Sequence, residues 1–146
     1  MNIEIRPMVQ EDVEDVFLLE KQIFADHWSA QSFYTELENP DVSIALVMEL
    51  DNEIVGYAIV WYYAEELHIS NFAISPEHRR KGLGRQLLEY ILDMEANFKF
   101  AYLEVRKSNR PAIELYERYG FEPFYIREHY YRNGEDAIVM IRRNNR

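Results

Sequence analysis

Two glycines, Gly82 and Gly84, lie two residues apart at the start of an apolar, helix-like run, and cationic side chains surround them. Backbone N–H groups at the start of a helix attract anions, and glycine lets a phosphate group approach the backbone closely. The spacing therefore predicts an anion-binding turn, although a plain glycine turn with solvated cations would have the same sequence. The cations are Arg79, Arg80, Lys81 and Arg85.

Two well-known phosphate-binding loops do not fit this stretch. A Rossmann fingerprint needs a third glycine three positions on, where the chain has Leu87. A Walker loop needs Lys and then Ser or Thr after its last glycine, whereas Gly84 is followed by Arg85 and Gln86. What remains is the pattern R-x-x-G-x-G, which runs from Arg79 to Gly84.

Helices are predicted where apolar residues recur with helical spacing. This spacing covers residues 13–24, and Ser29 is placed to cap a second helix. The glycine turn begins a third helix over about 83–97. A fourth helix follows the letters NRP, and Gly120 lies where a C-terminal cap is expected.

Strands are predicted where apolar and polar residues alternate, and turn residues separate them. Asp51-Asn52 joins two such runs, and Asn133-Gly134 is a strong hairpin signal between the last two. The order is a meander, then strand–helix–strand–helix, then a hairpin. It predicts an α+β, three-layer α/β/α fold with a mixed, largely antiparallel sheet, formed by residues 1–146 as one domain. The strand runs are IEIRPM, VSIALVMEL, EIVGYAIVWYY, ELHISNFAI, KFAYLEVRK, FEPFYIREHYYR and EDAIVMIRR.

Composition narrows the class of protein. The 146 residues suffice for one domain with a real core, and the longest apolar run, residues 57–64, is far short of a membrane span. The absence of cysteine removes disulfides, thiolate metal sites and a cysteine nucleophile. A net charge of −10 argues against direct nucleic-acid binding and permits a cationic partner, although many cytosolic proteins are acidic for solubility. The acidic N-terminal stretch has no hydrophobic signal region, so we expect a cytoplasmic protein.

The turn and its flanks resemble the GNAT superfamily of acetyl-coenzyme A dependent N-acetyltransferases, whose signature is Q/R-x-x-G-x-G/A. The run NFAISPEHRRKGLGRQLL matches this signature with its preceding strand and following helix, and YLEVRKSNRPAIELYERYGF is similar to the second half of the cofactor site. Within the superfamily, the chain most resembles the RimI type, the ribosomal-protein alanine N-acetyltransferases. The motifs shared with that type are HWSAQSFYTEL, LEVRKSN, AIELYERYGF and YYRNGEDAIVM.

The resemblance implies about seven strands, about four helices and a splayed central strand pair with coenzyme A bound in the gap. The pantetheine arm would run along Phe72, Ala73 and Ile74, and Asn109 would hydrogen-bond the cofactor or merely cap the helix that contains Pro111. A β-branched side chain at the second glycine would take the place of the phosphate. The pyrophosphate would lie on Arg80, Lys81, Gly82, Leu83, Gly84 and Arg85.

Acetyl transfer requires a neutral amine to attack a thioester. Without a cysteine for an acyl-enzyme, direct transfer in a ternary complex is the simplest route. At pH 7, deprotonation costs roughly 1–1.4 kcal/mol for an α-amine of pKa ~8 and ~4.6 kcal/mol for a lysine of pKa ~10.4. An α-amine is therefore the easier nucleophile, although this cost alone does not exclude lysine.

The resemblance assigns Glu104 as the general base and Tyr116 as the acid that protonates the leaving thiolate. Strand alternation places Glu104 on one face with Tyr102 and Arg106, so the residues alone favour an ion pair with Arg106 or a solvent-facing position. Tyr116 has an ordinary pKa near ~10 and is protonated at pH 7. Its helical face equally fits core packing.

The acceptor slot is assigned by the same resemblance. Tyr130 and Tyr131, together with Tyr125, would line the last hairpin near the slot, or cover a sheet face. Trp28 and Tyr34 would border the peptide entrance, or pack the first two helices. No metal is expected, and the four histidines, which lack metal-ligand spacing, are interpreted as ordinary surface or partly buried residues: His27, His68, His78 and His129.

The leading hypothesis is an enzyme that acetylates the N-terminal alanine of a basic ribosomal protein with acetyl-CoA, without binding nucleic acid or membrane. One alternative keeps the cofactor and changes the acceptor to a lysine or a small amine, because acceptor loops vary on one scaffold. Another alternative is a non-catalytic acyl-CoA-binding protein, against which the pair Glu104 and Tyr116 argues.

Overall fold

The computed structural model describes residues 2–144 and contains one seven-stranded sheet in the order β1-β2-β3-β4-β5-β7-β6. Every neighbouring pair is antiparallel except β4 and β5, which are parallel. The predicted α+β class with a largely antiparallel sheet is confirmed. The strands are β1 Ile3–Pro7, β2 Ser43–Leu50, β3 Glu53–Tyr63, β4 Glu66–Ile74, β5 Phe100–Arg106, β6 Glu122–Arg127 and β7 Ala137–Arg143; the helices are α1 Val13–Ile23, α2 Ala30–Leu37, α3 Leu83–Met94 and α4 Arg110–Arg118.

The sheet separates two buried clusters, which makes the fold three-layered. Helices α3 and α4 cover one face, where Leu87 and Ile113 pack against strand residues such as Leu103. Helices α1 and α2 cover the other face through Val16 and Phe33. None of the helices in the described part of the chain is long and apolar enough to cross a membrane.

Local turn chemistry sets several element boundaries as predicted. Asp51 and Asn52 both have positive φ, 50° and 70°, and form a two-residue connection between β2 and β3. The Ser29 hydroxyl accepts a hydrogen bond from the Ser32 N–H at 3.1 Å and caps α2. Gly120, with φ 87°, follows α4 in the left-handed conformation that glycine tolerates best.

Strands β4 and β5 are paired over only part of their length. Their ladder runs from Glu66 with Phe100 to Ile69 with Leu103 and stops there. At the same point a bulge in the β3–β4 ladder leaves Ser70 without a partner on β3, and such bulges bend a strand. The C-terminal halves of β4 and β5 therefore diverge, which confirms the predicted splayed pair.

The prediction for the last hairpin was wrong in the extent of its first strand. The predicted strand continued through residue 132, whereas β6 ends at Arg127 and residues 128–136 form a loop. Side-chain contacts hold this loop in place of ladder hydrogen bonds: the Asp136 carboxylate accepts from the His129 N–H at 3.0 Å. Tyr130 and Tyr131 consequently lie in the loop and not in a strand.

Candidate active site

The glycine-rich turn connects the divergent end of β4 to α3. Arg80 and Gly82 both adopt positive φ, 65° and 77°, so the chain reverses sharply before Leu83 begins the helix. The Arg79 Nε donates to the carbonyl of Ile74 at 3.2 Å and ties the turn to β4. The N–H groups of the first turn of α3 have no intrahelical partner, and exposed cationic side chains lie beside them. This combination favours a bound anion.

The two glycines serve different purposes. Gly82 needs its left-handed backbone, and a Cβ there would approach only the Arg85 guanidinium, at 3.9 Å. A Cβ at Gly84 would point toward Leu115 Cδ2 at 3.6 Å and Ile74 Cγ1 at 3.7 Å. A Cβ at Gly84 would therefore face α4 and β4 at ordinary contact distance, and displacement of a phosphate by a β-branched side chain there stays a prediction.

The three β4 residues predicted to hold the pantetheine arm lie on its divergent half. Their backbone has no partner on β5, because the β4–β5 ladder ends at Ile69. Ala73 and Ile74 are buried, and the half-buried ring of Phe72 meets the Tyr116 ring edge-on at 6.0 Å. A ligand with amide groups could complete these backbone hydrogen bonds like an added strand.

Asn109 caps α4. Its side-chain oxygen accepts from the Ala112 N–H at 3.3 Å. The capping role weighed from the sequence is thus present, and contact with a cofactor stays a prediction.

Glu104 does not stand alone on β5. Its Oε1 lies 2.8 Å from His68 Nε2 on β4, and both side chains are 13% exposed. Because a carboxylate only accepts, the imidazole carries its hydrogen on Nε2. The His68 ring stacks on Tyr102 at 4.4 Å, and within residues 2–144 its buried Nδ1 has no hydrogen-bond partner. Sequence reasoning missed this pair, because it depends on the parallel register that sets His68 opposite Tyr102, and no local pattern in the sequence shows that register.

Tyr116 lies in α4 and is 6% exposed, between the rings of Phe72 and Phe121 at 6.0 and 5.8 Å. Burial raises the pKa of Tyr116 above its ordinary value, and Tyr131 adds to this effect. The phenol therefore keeps its proton well into the alkaline range. Within the described residues its hydroxyl forms no hydrogen bond to another group, so it is free to donate.

Tyr131 lies within electrostatic range of both candidate proton carriers, Glu104 and Tyr116. Burial raises the pKa of Tyr131, Arg106 opposes that rise, and the negative Glu104 adds to it. Its ring contacts Tyr130 edge-on at 5.1 Å and lies 3.9 Å from the Arg106 Cζ. Tyr131 thus contacts Tyr130 and Arg106 directly and is within electrostatic range of Glu104 and Tyr116.

Trp28 and Tyr34 pack with the first two helices. The Trp28 ring lies 5.2 Å from the Phe33 ring, and the Trp28 N–H donates to the buried Glu20 carboxylate at 2.9 Å. Tyr34 is half-buried against the same cluster. These are the packing contacts weighed from the sequence, and the role of both residues at a peptide entrance stays a prediction. Within residues 2–144 no cluster of three or more His, Asp or Glu side chains is arranged to hold a metal ion.

Comparison with known proteins identifies the class. The sequence model described as "Acetyltransferase (GNAT) family" matches residues 11–121. This range contains the glycine-rich turn, the divergent strand pair, Glu104 and Tyr116. The chain therefore belongs to the GNAT acetyltransferase family and is an acyltransferase.

Similarity extends to a particular type within the family. The chain is 40% identical over 140 residues to the putative [ribosomal protein bS18]-alanine N-acetyltransferase of Bacillus subtilis, covering 93% of this chain and 92% of that one. It is 34% identical over 134 residues to the Salmonella typhimurium [ribosomal protein bS18]-alanine N-acetyltransferase, covering 88% and 89%. The crystal structure of the Escherichia coli ribosomal-protein-S18-alanine N-acetyltransferase matches with TM-score 0.90 and 30% identity, covering 99% and 96%. The chain is thus an N-acetyltransferase of the RimI type.

Proposed function

We propose that the enzyme transfers the acetyl group of acetyl-CoA directly to the N-terminal α-amine of a ribosomal protein that begins with alanine. One observation carries this proposal: the Glu104 carboxylate, held by His68, lies where β5 parts from β4, and the buried, protonated Tyr116 packs against Phe72 on the divergent half of β4. Glu104 and Tyr116 supply the base and the acid that amine acetylation needs. The names of the relatives support the alanine acceptor.

The cofactor would lie along the gap. Its pyrophosphate would sit on the turn at Gly82, where the N–H groups of the first turn of α3 and the exposed Arg80, Lys81 and Arg85 favour negative charge. Its pantetheine arm would hydrogen-bond those backbone groups of residues 72–74 that face the gap and have no partner on β5. With the pyrophosphate at the glycine-rich turn, the thioester end of the cofactor would lie near Phe72 and the adjacent Tyr116.

The reaction needs two proton movements. Glu104 takes a proton from the acceptor ammonium, directly or through water, while His68 holds the carboxylate in place. The neutral amine then attacks the thioester carbonyl, so that a C–N bond forms and the C–S bond breaks. As the neutral amide forms, the attacking nitrogen loses its second proton to solvent. Tyr116 donates its proton to the departing thiolate, which leaves as the coenzyme A thiol, and is then reprotonated from solvent, while Glu104 releases its proton to solvent. Proton transfers of this kind typically contribute ~10²–10⁴-fold to the rate.

An α-amine fits this site better than a lysine. Deprotonation at pH 7 costs roughly 1–1.4 kcal/mol for an α-amine and ~4.6 kcal/mol for a lysine. Deprotonating an N-terminal amine therefore costs a single carboxylate base about 3 kcal/mol less than deprotonating a lysine. The net charge of −10 favours an acceptor that is basic beyond its first residue, as ribosomal proteins typically are.

The deciding experiment measures coenzyme A release with peptides that share one basic sequence and differ in the first residue. Mass spectrometry locates the acetyl group, and a peptide with a blocked N-terminus and a free lysine serves as the control. Acetylation of the α-amine, fastest with alanine, is the expected result. Acetyl found chiefly on lysine would instead support the lysine acetyltransferase alternative, and binding without turnover would support the non-catalytic one.

A further inference from the structure

Arg106 connects three segments around the candidate site. It lies on β5 two residues after Glu104 and projects from the same face of the sheet. One terminal nitrogen binds Asp26 Oδ1 at 2.5 Å, in the connection between α1 and α2. The other binds Glu135 Oε1 at 3.0 Å and Asn133 Oδ1 at 3.2 Å, in the loop between β6 and β7.

The guanidinium is also packed against an aromatic ring. Its Cζ lies 3.9 Å from the centre of the Tyr131 ring, within cation–π range. The side chains of Arg106, Asp26 and Glu135 are 20%, 16% and 21% exposed, so these ion pairs are largely shielded from water. The other Glu135 oxygen accepts from the Ser108 N–H at 2.8 Å. Glu135 thereby fastens the loop to the end of β5 as well.

These contacts fix two loops relative to one strand. We call residues 24–29 and 128–136 the acceptor loops, because they carry Trp28 and Tyr130, which the proposed function places at the acceptor slot. Much of the second loop is exposed, including Arg132 and Gly134, so packing alone holds it weakly. The planar guanidinium has several donors, so it binds both loops at once while it stacks on the Tyr131 ring.

We propose that Arg106 is a positioning residue that holds the two acceptor loops together and thereby sets the width of the entrance through which the acceptor N-terminus reaches Glu104. This inference rests on the proposed function. In this role Arg106 acts through the loops that it binds and through Tyr131, whose ring it packs against at 3.9 Å. Loss of the guanidinium widens the entrance and leaves the glycine-rich turn unchanged. It therefore weakens binding of the acceptor more than binding of the cofactor.

Kinetics with both substrates test this role. R106Q is expected to raise KM for the alanine peptide by about tenfold or more while KM for acetyl-CoA stays within about twofold. R106K keeps the charge without the planar fork and should recover only part of the loss. In the double variant D26N/R106Q, the Asp26 change should add little, because its partner is already gone. R143Q, which removes an exposed arginine at the far end of β7, serves as the matched control.

Hydrogen exchange separates this inference from the proposed reaction. In R106Q, exchange should accelerate in residues 24–29 and 128–136 together and remain unchanged in α3 and β4. Equal rises in KM for both substrates, acceleration in one loop only, or uniform acceleration throughout would overturn the positioning role. If no peptide were acetylated by the wild-type protein, the proposed function would fail, and the exchange pattern would still decide whether Arg106 couples the loops.

Discussion

His68 and Glu104 are joined by a 2.8 Å hydrogen bond at the point where β4 and β5 part. His68 belongs to the last paired stretch of β4, and Glu104 is the first residue of β5 beyond the ladder. The bond therefore crosses the start of the gap and holds the carboxylate toward it. The Tyr102 ring stacks on the His68 imidazole at 4.4 Å and so limits its rotation.

A double-mutant cycle tests this relationship. Glu104→Gln should lower kcat by ~10²–10⁴-fold, the usual range for a lost general base, and leave acetyl-CoA affinity unchanged. His68→Phe preserves a ring next to Tyr102, removes the hydrogen bond, and should lower kcat less. In the Glu104→Gln background, His68→Phe should cost almost nothing, because the charge it oriented is absent. Steady-state kinetics and calorimetry with coenzyme A measure these effects; fully additive losses would show that the two residues act separately.

Tyr116→Phe should lower kcat by ~10²–10⁴-fold at every pH without weakening cofactor binding. Burial raises the pKa of the Tyr116 hydroxyl above its ordinary value of ~10, so the protonated, active form persists past pH 10. The kcat–pH profile of the wild type should accordingly show no loss from this group up to about pH 10. A decline below pH 9 in the wild type that disappears in Tyr116→Phe would contradict this assignment.

The glycine-rich turn gives a prediction with a matched control. Gly82→Ala forces a side chain into a left-handed conformation at φ 77°, which typically costs about 1–2 kcal/mol, and the turn should relax away from its anion-binding shape. We expect coenzyme A affinity to fall about tenfold. Gly134→Ala introduces the same kind of strain at φ 85° in open space, far along the chain. It should destabilise the fold similarly and leave coenzyme A affinity unchanged in calorimetry, and equal affinity losses in both variants would refute a specific role for the turn.

Acid stability should depend on Asp12 at the start of α1. Hydrogen bonds from Arg6 hold the pKa of Asp12 below its ordinary value, with the Val9 N–H adding to the effect. A carboxyl with a lowered folded-state pKa stabilises the fold above its unfolded pKa of ~3.9, and this contribution is lost as pH falls through the folded-state value. Asp12→Asn should thus destabilise the protein by roughly 1–3 kcal/mol at pH 7 and by progressively less below pH 4. Chemical denaturation of both proteins across this pH range measures the difference in their free energies of unfolding. If that difference did not shrink in acid, the lowered pKa of Asp12 would not be the source of the stability.

The fold could be predicted from the sequence because its signals are local. The two turn residues Asp51 and Asn52, the Ser29 cap and the R-x-x-G-x-G turn each fix backbone geometry within a few residues. Alternation on β5 likewise places Glu104 and Arg106 on one face. These features depend on neighbours in the chain and not on the tertiary arrangement.

Features that depend on register between distant strands could not be predicted in the same way. The contact of His68 with Glu104 needs the parallel register of β4 and β5, which no local pattern encodes. The turn predicted at Asn133-Gly134 forms, with the Gly134 N–H bound to the Tyr131 carbonyl at 2.8 Å, but β6 ends at Arg127 and the side chains of Asn133 and Glu135 bind the distant Arg106. The direction of a Cβ at Gly84 follows from how α3 packs on α4, which the spacing of the glycines does not reveal.

Ionic strength should distinguish how the acceptor is recruited from how it reacts. The enzyme has a net charge of −10, so a peptide with a basic segment after its first alanine should be attracted over several ångströms, and salt should screen this attraction. In the proposed mechanism, proton transfer between Glu104, the amine and Tyr116 takes place at hydrogen-bond distance in a shielded site, so we expect it to respond little to salt. Raising ionic strength should therefore raise KM for the basic peptide and leave kcat nearly constant.

A peptide of equal length with neutral residues in place of the basic ones is the control, and its KM should start higher and change little with salt. Initial rates of coenzyme A release at low and high salt, with acetyl-CoA saturating, measure both constants. If KM for the neutral and basic peptides rose in parallel, salt would be acting on the enzyme itself, and long-range attraction of a basic acceptor would be excluded. If instead kcat fell while KM stayed constant, salt would be acting on the chemical step and not on recruitment of the acceptor. The Glu104 carboxylate would then have to be far more accessible to solvent than its 13% exposure indicates.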